Sequence, residues 1–310
     1  MGKTYDNIDE KCIIVGLETG EIKGDIGAGS TLRETTKNER KAIRDKKRRN
    51  ICIRGNIDSM GEYTVHYRHG YGLLKDISLD TTGALLILSH FIIQNKRKDG
   101  FILIGTQGGG YIKPFKTKKD IMDRLNYSNK KTAYKIINEA IKANLLRHTN
   151  EGYRLNENLF FRGSADKYSF IVSFKRSIME LKEMLPLKSI GYLFRMSEFL
   201  SGCSSLHDFT LVSNPEEMTP ENVRYLTVNE LSERLSVSER TVIRLSDINI
   251  QFKGFERYGQ IPLMIKSGHM RAKNESQWLT LNPLLFTNRL DEAIEHGLIK
   301  FIQGSNNNYD

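Results

Sequence analysis

The sequence has few cysteines and no run of apolar residues long enough to cross a membrane. Its 310 residues include three cysteines, Cys12, Cys52 and Cys203, which are far apart and odd in number. This usage argues against a disulfide framework and fits a reducing compartment, so we expect a cytoplasmic protein. Ser89 and His90 interrupt the longest apolar run, far short of the roughly 20 residues of a membrane helix. We therefore expect no membrane partner.

The sequence also lacks the residue patterns of common catalytic and cofactor sites. Its early glycines form no phosphate-binding signature, and no G-x-x-x-x-G-K-[ST] motif occurs. A rolling-circle nickase would need a His-hydrophobic-His pair near a tyrosine, which is missing as well. Cys52, His66 and His69 offer three metal ligands, whereas structural zinc requires four. The sequence predicts a binding protein with no catalytic residue, no cofactor and no metal.

A phrase of fourteen residues occurs twice in the chain. Residues 117–130 read T-K-K-D-I-M-D-R-L-N-Y-S-N-K, and residues 227–240 read T-V-N-E-L-S-E-R-L-S-V-S-E-R. Threonine, arginine, leucine and serine recur identically, and an acidic residue follows the threonine by three positions in both copies. A threonine N-cap followed in this way begins a helix. The whole phrase predicts a helix, a tight turn and the start of a second helix, which is a helix-turn-helix unit.

Two further patterns extend the repeat in the same order. G-x-L-x-x-x-S-x-F occurs at 83–91 and again at 191–199, and L-N-x-x-L-F occurs at 155–160 and again at 281–286. Three ordered matches indicate an internal duplication. The predicted fold class is therefore α+β and helix-rich, with two tandem winged helix-turn-helix domains behind a basic N-terminal extension.

The repeat also predicts the positions of the elements. In copy one we expect helices over 81–93 and 117–125, a third helix capped by Ser128 and ending near 143, and a wing over 147–160. In copy two we expect helices over 188–200 and 227–235, a third capped by Ser238 and ending near 246, and a wing within 251–286. The predicted domains are an N-terminal extension with a basic arm (1–70), winged helix 1 (71–164), a connecting strand and helix (165–187), winged helix 2 (188–303) and a flexible tail (304–310).

The third helix of each unit is expected to enter the major groove of DNA. In copy one its outward residues are predicted to be Asn129, Lys130, Lys131, Thr132, Tyr134, Lys135 and Asn138. In copy two they are predicted to be Glu239, Arg240, Thr241, Ile243 and Arg244, and all but the isoleucine are candidate DNA contacts. Arginine suits guanine and asparagine suits adenine, whereas lysine mostly meets phosphate.

The basic residues are unevenly distributed along the chain. Residues 113–148 carry ten Lys or Arg against three Asp or Glu, whereas residues 224–257 carry six against five. The whole chain has a net charge of +10. A basic surface concentrated on one helix-turn-helix is typical of a polyanion binder, although a basic run can also be no more than a solvated face. Copy one is therefore the predicted electrostatic anchor, and copy two the predicted base reader through Arg240 and Arg244.

Two other segments are predicted to contact DNA. Residues 37–54 carry nine basic and two acidic residues, and basic arms of this kind reach the phosphate backbone or the minor groove beside helix-turn-helix units. The candidate contacts of this arm are Lys46, Lys47, Arg48 and Arg49. A basic helix without a partner is the alternative. The tip of the second wing adds Lys266 and His269.

Residues 113–163 resemble the winged helix of RepL-type replication initiators of Gram-positive plasmids. The shared features are K-D-I-M-D-R-L, a turn, T-A-Y-K-I-I-N-E-A-I, and then G-Y-R-L-N-E-N-L-F-F-R-G. The tandem arrangement is similar to theta-type plasmid initiators, which bind repeated origin sites as monomers. Asn282 and Pro283 match the asparagine-proline often seen at that strand end, and Asn156-Glu157 departs from it. The resemblance implies a role at a replication origin.

The sequence thus favours a sequence-specific protein of a plasmid or phage that binds double-stranded DNA, with replication initiation as the leading hypothesis. Host replication or transcription proteins are further candidate partners, and the chain is expected to act as a monomer with an internal pseudo-dimer or as a homodimer. A transcriptional regulator with the same fold is the first alternative. A phage protein that uses winged helices for protein contacts is the second.

Overall fold

The structure, a computed structural model, describes residues 4–5, 12–15, 22–26, 32–33, 37–92, 101–106, 112–127, 129–162, 169–201, 209–215, 223–267, 278–288 and 294–306. The chain divides into an N-terminal region, residues 1–51, and a main region, residues 52–310. In the N-terminal region, strand β1 (Thr4–Tyr5) is followed by β2 (Cys12–Val15), β3 (Ile22–Ile26) and β4 (Leu32–Arg33). Strand β1 pairs with β4, and β2 pairs with β3. Helix α1 (Lys37–Met60) follows β4 in the sequence.

The main region mixes helices with small antiparallel sheets, which confirms the predicted α+β class. Its helices are α2 (Leu79–Ser89), α3 (Lys118–Leu125), α4 (Lys130–Lys142), α5 (Lys175–Met184), α6 (Leu187–Ser197), α7 (Val228–Leu235), α8 (Glu239–Ser246) and α9 (Ile294–Asn306). Its strands are β5 (Tyr63–Tyr67), β6 (Phe101–Ile102), β7 (Ile104–Thr106), β8 (Ile112–Pro114), β9 (Leu146–Thr149), β10 (Gly152–Leu155), β11 (Phe160–Phe161), β12 (Phe170–Phe174), β13 (Asn249–Ile250), β14 (Ile261–Pro262), β15 (Met264–Ser267), β16 (Trp278–Leu281) and β17 (Phe286–Thr287).

Local sequence explains why the first helix of each copy begins earlier than predicted. The Ser78 side chain accepts a hydrogen bond from the Thr81 amide, so α2 begins at Leu79 rather than at residue 81. Pro186 precedes α6, which begins at Leu187. The helix predicted to reach residue 93 ends at Ser89, because Phe91 and Ile92 leave it to join the sheet beside β6.

A four-stranded antiparallel sheet in the order β11-β5-β12-β17 joins the two copies of the repeat. The central strands β5 and β12 pair so that Val65 lies opposite Val172 at the midpoint of the register. The outer strands β11 and β17 pair with equivalent positions of β5 and β12. Strand β11 begins at the phenylalanine that ends the first L-N-x-x-L-F pattern, and β17 begins at the phenylalanine that ends the second. Each copy thus places its final strand at one edge of the shared sheet.

The helices α2 and α6 cross at two glycines that occupy the same position of the repeat. A Cβ atom added at Gly83 would collide with the carbonyl oxygen of Leu187, and one added at Gly191 would collide with the carbonyl oxygen of Leu79. The contact is therefore reciprocal: each glycine admits the backbone of the other helix. Glycine is required here by the close approach of two backbones.

Other repeated residues also have matching contacts. The guanidinium of Arg124 lies 4.3 Å from the ring centre of Phe91, and that of Arg234 lies 5.2 Å from the ring centre of Phe199. These cation–π contacts join the helix-turn-helix phrase to the pattern that precedes it. The recurring arginine and phenylalanine therefore hold α3 and α7 against the segments that follow α2 and α6.

A buried polar network lies beside the central strands. The Nε2 atom of His66 lies 2.6 Å from the Ser173 hydroxyl, which lies 3.0 Å from Nε2 of His90. Thr64 donates a 2.9 Å hydrogen bond to the Ser89 carbonyl and lies 3.2 Å from the Nδ1 atom of His90. The network therefore connects β5 and β12 with the end of α2.

The last helix continues into the segment predicted to be a flexible tail. Helix α9 includes residues 304–306, and residues 307–310 lie outside the described residues. The buried side chain of Asn56 accepts a 2.8 Å hydrogen bond from the Ile294 amide at the start of α9. This bond satisfies one of the amides that a helix start leaves without a partner inside the helix.

Candidate nucleic-acid interface

The two helix-turn-helix phrases fold with the same local geometry. Thr117 and Thr227 each cap a helix and form a capping box with the acidic residue three positions later, as predicted. The helices α3 and α7 then end at Asn126 (φ 56°) and Ser236 (φ 54°), both in the left-handed region. This left-handed residue turns the chain sharply, so the next helix begins within four residues.

The caps of the third helices differ in one respect from the prediction. Ser238 caps α8 by accepting from the Thr241 amide, which confirms the prediction for copy two. In copy one the predicted cap, Ser128, lies outside the described residues, and the Asn129 side chain caps α4 by accepting from the Thr132 amide. The carbonyl oxygen of the Asn129 side chain is therefore already engaged.

Helix α4 has a polar outer face and an apolar inner face. The inner face is buried and consists of Ala133, Ile136, Ile137 and Ala140. Most of the predicted outward residues are exposed, namely Asn129, Lys130, Lys131, Thr132, Lys135 and Asn138. Tyr134 is half-buried. Their contact with DNA stays a prediction.

Three of the predicted outward residues of α4, Lys130, Tyr134 and Asn138, already contact other side chains. Asn138 accepts a 2.7 Å hydrogen bond from Lys118 Nζ, which links the second and third helices. Lys118 and Lys130 lie 5.1 and 5.5 Å from the ring centre of Tyr134. Sequence reasoning missed Lys118, because its partner is twenty residues away on the next helix.

Helix α8 is shorter than α4 and presents arginine instead of lysine. Arg240 and Arg244 are exposed one helical turn apart, and Val242 and Leu245 are buried beneath them. Glu239 is also exposed, whereas Thr241 is half-buried. Ile243 keeps 36% of its surface exposed on the same outer side, as predicted. The outer face of α8 thus carries two forked guanidinium groups beside an apolar residue.

The outer face of α4 is positively charged. Within the part of the chain that the structure describes, Lys130, Lys131 and Lys135 form no ion pair with a carboxylate. Partial burial would raise the pKa of Asp120, but hydrogen bonds from Thr117 and Lys116 outweigh that effect and lower it. This carboxylate is therefore ionised at neutral pH and is committed to the cap of α3.

Each copy has a β-hairpin after its third helix. In copy one, β9 and β10 pair with Tyr153 opposite His148, and the two ring centres lie 4.5 Å apart. In copy two, β15 pairs with β16, and Lys266 is half-buried on β15. The predicted tip residue His269 lies outside the described residues. Strands β13 and β14, which the sequence did not predict, form an additional pair before this hairpin.

The basic N-terminal segment forms part of α1. Lys46 and Lys47 are exposed on this helix, and the side chains of Arg48 and Arg49 lie outside the described residues. Hence residues 37–54, the segment predicted as an arm, are helical and lie within α1. Its contact with DNA stays a prediction.

The described residues contain no group of three or more His, Cys, Asp or Glu side chains that could hold a metal ion. His66, one of the three candidate zinc ligands, contacts Ser173 in the buried network. Its neighbour His69 stacks on Tyr67 with the ring centres 5.4 Å apart. No helix in the described ranges combines the length and the apolar character that a bilayer crossing requires.

Comparison of the chain with protein-family models, with curated proteins and with solved structures gives no match. The function is therefore inferred from the residues and from their geometry.

Proposed function

We propose that the protein binds double-stranded DNA sequence-specifically through two winged helix-turn-helix units on one chain. The first unit comprises α2, α3, α4 and the β9–β10 hairpin, and the second comprises α6, α7, α8 and the β15–β16 hairpin. The observation that carries the proposal is the recurrence, in both copies, of a capping box, a left-handed turn and a third helix with a polar outer face. Helices of this kind fit the major groove.

The two units make different contacts with DNA. Lys130, Lys131 and Lys135 on α4 supply mobile point charges that suit phosphate oxygens and carry little sequence information. Arg240 and Arg244 on α8 have the forked geometry that suits the O6 and N7 atoms of guanine. Copy one therefore anchors the protein, and copy two selects the sequence.

The symmetry of the shared sheet supports a two-fold relation between the units. Val65 pairs with Val172 at the centre of the symmetric register, and the glycines of α2 and α6 contact the opposite helix reciprocally. A two-fold relation reverses one recognition helix with respect to the other. The proposed site therefore consists of two unequal half-sites in inverted orientation, about one helical turn (roughly 10 base pairs) apart.

We further propose that the sites lie in a replication origin of a plasmid or phage. The support for this role is the resemblance of residues 113–163 to RepL-type initiators, together with the tandem units. A transcriptional regulator would need the same surface, so the location of the sites distinguishes the two roles.

An unbiased selection of DNA by the purified protein tests the proposal. The library contains genomic, plasmid and phage DNA, and the salt concentration is about 150 mM, because salt weakens non-specific attraction to phosphate. Clustered repeats beside an A·T-rich tract are the expected result. Isolated sites over promoters would instead indicate a regulator. If no sequence were enriched, DNA recognition itself would be wrong, and a role in protein contacts would remain.

A further inference from the structure

Glu139 lies on the third helix of copy one and makes contacts that DNA binding by α4 does not require. Its Oε1 atom accepts a 2.8 Å hydrogen bond from the Ser78 amide, and its Oε2 atom accepts a 2.6 Å bond from the Ser78 hydroxyl. The Thr81 hydroxyl also donates to Oε2. One carboxylate thus binds three donors at the start of α2.

The electrostatics of this contact favour an ionised carboxylate. Partial burial would raise the pKa of Glu139, but the hydrogen bonds from Ser78 and Thr81 outweigh that effect and lower it, and Lys135 contributes in the same direction. The positive end of the α2 dipole also attracts an anion at this place. At neutral pH the bonds are therefore charge-assisted, which makes them stronger and more directional than neutral ones.

The contact connects the recognition helix of copy one with copy two. Helix α2, which Glu139 holds at its start, crosses α6 through Gly83 and Gly191 with backbone against backbone. Such a crossing leaves little freedom for sliding or rotation. The orientation of α4 is therefore tied, through α2, to the helix that begins the second unit.

Copy two has no equivalent contact among its described residues. Pro186 stands where Ser78 stands in copy one, and α6 has no side-chain cap bond. Helix α8 ends at Ser246, before it could carry a residue in the position of Glu139. The link is thus specific to the lysine-bearing helix, the one that binds phosphate in the proposed function.

We infer that Glu139 is a positioning residue that fixes the angle between α4 and the second unit, and so fixes the distance between half-sites that the protein accepts. The inference rests on the proposed function. Each inserted base pair rotates one half-site by about one tenth of a turn relative to the other. A rigid link between the units therefore makes binding sensitive to spacing.

Competition binding on duplexes with spacers changed by one or two base pairs measures this effect. For the wild-type protein we expect roughly tenfold weaker binding when one base pair is added or removed, a penalty similar to that of a mismatched base pair. Glu139→Ala should reduce the penalty to about two- to threefold, and Glu139→Gln, which keeps one carbonyl acceptor, should lie in between. Asp123→Ala removes one negative charge from the exposed surface of α3 without breaking the link, and it should keep the full penalty.

The outcomes separate a positioning role from a structural one and from a failure of the proposed function. Equal weakening at every spacing by Glu139→Ala would show that Glu139 only stabilises the fold, which would overturn the inference. An unchanged spacing penalty would overturn it too. If the wild-type protein bound DNA without any spacing preference, or did not bind at all, the two-half-site function and the inference would both fall. Thermal unfolding of each variant checks that the proteins compared are folded.

Discussion

The exposed side chains of α4 and α8 differ in chemistry, and under the proposed function that difference has a measurable consequence. A lysine is a flexible point charge, whereas an arginine presents a planar fork of donors. In the described structure Lys130, Lys131 and Lys135 on α4 and Arg240 and Arg244 on α8 are exposed. Both groups face solvent, and under the proposed function they should affect different properties of a complex with DNA.

Replacing Lys130, Lys131 and Lys135 together with alanine should weaken binding to all DNA sequences alike. For every phosphate that is no longer neutralised, the slope of log K against log salt should become shallower by about 0.9, because fewer counterions are released.

Arg240→Ala or Arg244→Ala should cost about 1–3 kcal/mol on the selected site and little on random DNA. Fluorescence anisotropy at several salt concentrations measures both effects.

Lys142→Ala provides a control for the lysine variants, because Lys142 is exposed on the last turn of α4, away from its start. An unchanged affinity in the triple lysine variant would contradict the assignment of copy one as the anchor. Equal decreases in affinity for specific and random DNA in the arginine variants would reassign those arginines to the phosphate backbone.

For single residues the sequence predicts faces better than contacts. The 3.6-residue period separates the buried Ala133 and Ile136 of α4 from its exposed lysines, as the structure shows. The period cannot show that Asn138 accepts from Lys118 or that Glu139 binds Ser78, since those partners lie 20 and 61 residues away. Which polar groups remain available to a ligand depends on tertiary contacts of this kind.

The crossing of α2 and α6 makes a prediction about glycine at the level of the element. Gly83→Ala or Gly191→Ala should lower the free energy of unfolding by about 1–3 kcal/mol, because the added methyl group would collide with a backbone carbonyl that cannot move alone. Urea unfolding followed by circular dichroism measures the change.

Gly55 of α1 is a control with the opposite expected sign. A Cβ atom added there meets nothing within 4 Å, so Gly55→Ala changes only the helix propensity and should stabilise the protein by up to about 1 kcal/mol. If all three variants were equally stable, the close approach of α2 and α6 would not be a constraint on the fold.

The sequence also predicts separate elements better than their assembly. Caps such as Thr117 and Thr227 are local signals, so the helices α3 and α7 can be predicted from the repeated phrase. The four-stranded sheet could not be inferred, because β5 pairs with β12 about one hundred residues later and each outer strand has only two residues. Nothing local in the sequence specifies which strands meet.

The two copies meet at a sheet with a buried polar network beside it, and this arrangement should make the stability of the whole molecule sensitive to acid. Burial lowers the pKa of His66 to about 3, and burial together with nearby positive groups lowers the pKa of His90 well below its ordinary value. Both rings are therefore neutral in the folded protein at neutral pH. Within the described residues the Nδ1 atom of His66 has no hydrogen-bond partner, so a proton there would be buried without compensation.

The direction of the pH effect follows from these shifts. In the unfolded chain a histidine takes up a proton near pH 6.5, whereas folded His66 does so only near pH 3. Between those values the unfolded state binds more protons, so stability is fully present above about pH 6.5 and decreases as the pH falls toward 3. Each such histidine should lower the free energy of unfolding by about 1.4 kcal/mol per pH unit within that window.

His66→Asn tests this origin of the acid sensitivity. The variant should be less stable than the wild type at pH 7, because the contact with Ser173 is altered. Its stability should fall less steeply between about pH 6 and pH 4, because its unfolding takes up about one proton fewer. His148→Asn is the control, since it removes a histidine that is exposed on the β9 strand. Urea unfolding at several pH values gives the slopes. A His66→Asn slope equal to that of the wild type would show that the carboxylates, rather than this network between the two copies, set the response of the molecule to acid.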